Sequence, residues 1–190
     1  MTAHGARSRP GAGRSAGGRL IAAALLAIAV TVAIYVSGRV IQPDYTFSLL
    51  GTDPIPVKSL LATIVLGLAV LQVLLALWIF GRLPLAGSPP RPVPLIHRLA
   101  GFAAFAVTVP IALHCLVTYG VQLTSPRVAI HSISGCFFYG AFTAKVLLVQ
   151  SRRLPGWVLP VAGGTLAVLV VMLWYTSALW YYNGYQLPTL

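Results

Sequence analysis

Acidic residues are almost missing from this chain, in which Asp44 and Asp53 are the only two carboxylates among 190 residues. Both fall between the first and second apolar stretches, so neither stands where it would relay protons across a membrane. With no broken-helix repeat either, a proton-coupled transporter is the least supported class. Cysteine is scarce as well. Cys115 and Cys136 lie on different apolar stretches in no C-x-x-C pattern, which indicates neither a disulfide framework nor a zinc ribbon and reads as two small packing residues. The other use open to them is redox chemistry, because His114 adjoins Cys115 and a nearby base favours a thiolate. There is no internal repeat and no flavin or nicotinamide segment, so a complete reductase would need a partner to bring that chemistry.

What the chain has in abundance is apolar surface. It is 58% hydrophobic and 8% charged, with mean hydropathy +0.87, too apolar for a domain wetted on all sides. Five stretches, 20–37, 59–80, 99–121, 128–150 and 157–182, reach the roughly 18 to 25 residues needed to cross about 30 Å of hydrocarbon. The expected fold is therefore all-α, a polytopic bundle of five transmembrane helices in a cell membrane. The net charge of +11 is spread over the ends of these stretches, which argues for orientation rather than nucleic-acid binding. With the N-terminus in the cytoplasm, ten basic residues (Arg7, Arg9, Arg14, Arg19, Arg82, Arg91, Arg98, Lys145, Arg152, Arg153) fall inside and three (Arg39, Lys58, Arg127) outside. The C-terminal tail, 183–190, then ends outside.

Residues 1–19, which include His4, have the composition of a disordered basic tail. The apolar run after them is longer than a signal-peptide core and is followed by no A-x-A site, so it reads as a retained helix. The Pro-rich segment 83–94 reads as a cytoplasmic linker dividing an anchoring hairpin from a working core. In that hairpin the polar residues within the helices are few, chiefly Thr63 and Gln72. The chemistry is expected on helices three to five.

His114 and His131 carry the site expectation. Ionisable side chains at membrane depth are costly and usually pair or bind something. His114 lies about seven residues, or about 10 Å, inside the end of the third helix, and His131 about four residues inside the fourth. The short segment 122–127 makes these helices neighbours, so the two imidazoles are expected to hold one haem b between them. Gly135, four residues after His131, would let a flat ring approach the backbone, and Arg127, four residues before it, would meet the propionates or snorkel to the interface. The small residues Ser132, Cys136, Gly140 and Ala144 form a ridge suited to helix packing. Pro110 is expected to kink the third helix, and the Trp and Tyr residues from 174 to 185 to form an interfacial belt. His97 and Lys145 are secondary candidates for a second, inner haem; an interfacial role for His97 and snorkelling for Lys145 are the plainer alternatives.

The run H-R-L-A-G from His97 to Gly101, with His114, His131 and F-F-Y-G from Phe137 to Gly140, resembles small bacterial membrane cytochromes of the b561 and ferric-reductase-like kinds. The chain also resembles uncharacterised five-helix membrane proteins of actinobacteria. The first resemblance implies electron transfer through b haems, with a quinol or an extracytoplasmic redox protein as the exchange partner. His114 and His131 match its outer pair, whereas Lys145 stands where the inner partner of His97 would be. The expectation is an electron-transfer subunit of an oxidoreductase, working with a partner subunit or a second copy. Two other classes stay open: a non-catalytic anchor or assembly subunit whose histidines only bond between helices, and a copper or zinc protein using His114 and His131.

Overall fold

Proline and short capping side chains set where the helices begin. The computed structural model describes residues 11–41, 53–83, 87–151 and 154–187, with side chains inside the first helix from residue 16. Its regular elements are the helices α1 (Gly11–Val40), α2 (Pro54–Ile79), α3 (Val93–Thr118), α4 (Pro126–Val149) and α5 (Val158–Tyr182). Pro54 and Pro126 occupy the first position of α2 and α4, where the missing N–H goes unused. Ahead of them, the Asp53 carboxylate accepts from Ile55 N (3.0 Å) and Ser125 Oγ from Val128 N (3.4 Å). These starts precede the apolar runs proper, so Lys58 and His97 both lie within helices. The helix α1 likewise reaches back to Gly11, so residues 11–19 are helical where a disordered tail was expected. Alanine and arginine in this stretch favour helix, against the four glycines Gly11, Gly13, Gly17 and Gly18. His4, Asp44, Arg152 and Arg153 lie outside the described residues.

All five helices are long and apolar enough to span a membrane. Their outward faces keep large side chains exposed, Ile28 by 60%, Phe102 by 69% and Val168 by 62%. Such faces suit hydrocarbon, in which an exposed apolar side chain carries no penalty.

The connectivity does not follow the hairpins. The helix α1 packs along α4, α2 packs on α3 and α5, and α5 packs on α4. The first two helices are therefore not a separate anchoring unit. The small ridge of α4 explains the first contact. Gly140 is buried against α1, where an added Cβ would collide with Thr31 Oγ1 and the Ala27 carbonyl. Ala144 packs with Ala23 and Leu148 further along. The few polar residues of α2 are interhelical ties: Gln72 donates to His97 O (2.6 Å), and Thr63 Oγ1 accepts from Trp174 Nε1 (3.0 Å).

At the other end of α1, Gly38 O accepts from Val121 N (2.8 Å) and the Arg39 guanidinium donates to Val121 O (3.2 Å). Gly120 makes this clamp possible. It takes φ +65, and a Cβ on it would lie 2.6 Å from Gly38 O. The α3–α4 linker is thereby fastened to α1.

Gly140→Ala should lower stability by about 1–3 kcal/mol, the usual range for overpacking. Thermal unfolding followed by circular dichroism in detergent checks this, with Gly163→Ala, where nothing lies within 4 Å of the added carbon, as the neutral comparison.

Candidate functional site

Sequence proximity brings α3 and α4 together only in part. They touch through side chains: Phe105 stacks on Phe142 with centroids 4.0 Å apart, and Tyr139 OH donates to Thr108 O (3.0 Å). Their backbones do not pack closely. From Tyr139 and Thr108 to the linker at Gly120–Gln122 the space between them is a partly open cavity of about 550 Å³, bordered also by α2, α5 and Ile34 of α1. That size is within the roughly 300–1,000 Å³ of ligand pockets. Its surface is mostly apolar, with Trp174, Trp180 and Tyr119 supplying aromatic walls.

His131 lines this cavity. Its Nδ1 lies 3.0 Å from Thr176 Oγ1. The hydroxyl has one proton, and that proton is directed at Met172 O (2.7 Å) within its own helix. Toward the imidazole Thr176 therefore accepts, so a neutral His131 carries its proton on Nδ1 and its lone pair on Nε2, and the ring also hydrogen-bonds the Leu173 backbone. A ring nitrogen held by an outer hydrogen bond is the arrangement that orients metal-binding histidines. The π-helical turn Tyr175–Leu179 interrupts α5 at this point. Such turns release carbonyls from the regular ladder, and Thr176 O accepts from the Arg127 guanidinium (2.8 Å). Arg127 also lies 3.8 Å above the Trp180 ring. It is fixed in the cavity wall by these two contacts and is not a loose interfacial side chain. Part of the expected aromatic belt is thus cavity lining, while Tyr181 and Tyr185 pack together, 5.8 Å between centroids.

His114 is placed differently. It is fully buried, at 0% exposure, and does not line the cavity. Lys58 Nζ lies 3.3 Å from its Nδ1, and Thr118 Oγ1 is 3.4 Å from its Nε2. An ammonium only donates, so the Nδ1 of His114 accepts, and a neutral ring there is protonated on Nε2. The two histidines are opposite tautomers with different partners. They do not face one another across the cavity, because His114 lies outside its lining. What stands there instead is Lys58, with its ammonium 4.6 Å from the Tyr119 ring centre and 3.9 Å from Cys115 Sγ.

Lys58 is the residue the sequence hid, because it looked like a flanking charge of the second apolar stretch. Gly135 does line the cavity, and a Cβ on it would meet only Leu173 Cδ2 at 3.8 Å. Cys115 and Cys136 line it too, as free thiols. Pro110 lies inside a continuous α3. His97 and Lys145 belong to the opposite end. His97 Nδ1 is buried without a hydrogen-bond partner among the described residues, and Lys145 is close enough to act on it electrostatically. No group of three His, Cys, Asp or Glu side chains gathers among the described residues.

Thr176→Val should remove the acceptor that sets the His131 tautomer and lower stability by about 1 kcal/mol. Nitrogen NMR of the histidine rings should then show His131 losing its Nδ1 proton preference, while His114 is unchanged.

Comparisons with known proteins add a family and no activity. No curated protein and no solved structure matches the chain. The likeness to the b561 and ferric-reductase-like cytochromes stays a pattern of histidines. Residues 20–189, which hold all five membrane-spanning runs and the whole cavity wall, match a family of unknown function (DUF6529), and the chain belongs to that family.

Proposed function

We propose that this protein is a membrane electron-transfer subunit holding one haem b in the cavity, with His131 as the iron ligand. The observation that carries this is the His131 imidazole, held through Nδ1 by Thr176 on the wall of a cavity of about 550 Å³. The remaining surface suits the group. The rings of Tyr119, Trp174 and Trp180 would pack on a flat macrocycle, Gly135 presents no side chain to it, and Arg127 offers donors for a propionate. When bound, haem would supply one-electron chemistry whose potential is set by ligand, burial and nearby charge. The chain's own contribution is to orient the imidazole, exclude water with Trp174 and Trp180, and place positive charge beside the ring. A quinol or an extracytoplasmic redox protein is the exchange partner proposed for it, in the cell membrane of a bacterium.

His114 has another part in this proposal. Its Nδ1 is engaged by Lys58, so it acts as a positioning residue for that ammonium rather than as a second axial ligand. The same contact favours the second reading, an anchor or assembly subunit in which histidines serve interhelical bonding alone. An inner haem at His97 and Lys145 is not part of the proposal.

Oxidised and dithionite-reduced visible spectra of the detergent-purified protein, with a pyridine haemochrome assay, separate these readings. The expected result is a b-type spectrum at about one haem per chain, lost in His131→Ala and kept in His114→Ala. Loss in both variants would give the iron two imidazoles. Protein that stays colourless after haem supplementation would overturn the proposal in favour of the structural subunit.

A further inference from the structure

Two cations share the cavity, and the chain has almost nothing with which to neutralise them. Lys58 comes from α2 and Arg127 from α4, and both line the same space. Arg127 is one helical turn before His131 on α4, and Lys58 reaches His114 and Cys115 on α3 beside the same space. Of the two carboxylates in the chain, Asp53 caps α2 from an exposed position near the Tyr119 ring, Asp44 lies outside the described residues, and no ion pair to either cation is found among the described residues. The partners they do have are neutral: an imidazole, an aromatic face and a thiol for Lys58, a backbone carbonyl and an indole for Arg127. These contacts aim the cations without cancelling their charge. Half-buried cations in a mostly apolar wall are a favourable place for a counter-charge to arrive.

We infer that Lys58 and Arg127 are paired anchors for a flat, apolar ligand bearing two acidic arms, the chemistry of a dicarboxylate tetrapyrrole. The apolar, aromatic-lined interior takes the ring, and each cation takes one carboxylate. Lys58 meets its carboxylate as a point charge with the donor left beyond those to His114 and Cys115, whereas Arg127 has donors left beyond the one spent on Thr176 O. The identity of the ring rests on the haem proposal above; the need for two acids rests on the cations alone.

Metal-free protoporphyrin IX separates the two ideas, because it carries the acids without the iron. Its binding to the detergent-purified full chain is followed by porphyrin fluorescence, beside haem and protoporphyrin IX dimethyl ester. The wild type should bind the diacid at least tenfold more tightly than the ester. Lys58→Met and Arg127→Met should each weaken the diacid about tenfold and leave the ester unchanged, and Lys58→Arg should restore the preference. His131→Ala should weaken haem and leave metal-free protoporphyrin untouched. Equal binding of diacid and ester by the wild type overturns the anchors whatever haem does. Diacid preference with haem binding indifferent to His131 overturns the iron ligand and leaves the anchors standing.

Discussion

The geometry of the cavity depends on one threonine. Thr176 sits in the π-helical turn of α5, and through its hydroxyl and its carbonyl it holds two side chains of α4, His131 and Arg127, that are one helical turn apart. A regular α-helix would have spent that carbonyl on its own ladder. The irregular turn thus joins α5 to α4 where α3 stands away, and keeps the wall from collapsing into the space. Threonine suits this double duty. Its hydroxyl satisfies itself within the helix and still accepts from a neighbour.

The separation of α3 from α4 follows from the same economy of contacts. Close approach between membrane helices needs small residues, and α4 has one face of them. The Gly140–Ala144 half of that face is taken by α1, with Gly140 against Ala27 and Thr31, while Ser132 and Cys136 line the cavity. Toward α3 the helix presents Phe138, Tyr139 and Phe142, whose bulk keeps the backbones apart at mid-bundle and props the cavity open beyond.

Much of this was legible in the residues. Long apolar runs bounded by proline and arginine mark five helices, and serine, cysteine, glycine and alanine at four-residue spacing mark a packing ridge. An expected depth for His114 and His131 also follows from counting along antiparallel helices. Rotation about the helix axis does not. Whether an imidazole turns toward a cavity or behind its wall depends on the partner met there, and the partner of His114 is Lys58, 56 residues earlier in the chain. A lysine at the end of an apolar run looks the same in sequence whether it snorkels to water or bends inward. The π-helical turn is equally silent, since nothing in Tyr175–Leu179 departs from ordinary helix formers beyond its threonine and serine.

The partnership of α1 with α4 has a temporal side. A helix leaving the ribosome can pair only with segments already made, and the main partner of α1 begins at Pro126, 86 residues beyond Val40. At common synthesis rates that interval is on the order of ten seconds. Throughout it the Ala- and Gly-rich face of α1 lies in lipid without its mate, and α2 and α3 settle against each other first. The fastening from Gly38 and Arg39 to the α3–α4 linker becomes possible only once Val121 has been made, and α5 is added after it. The first helix to enter the membrane is therefore among the last to find its place.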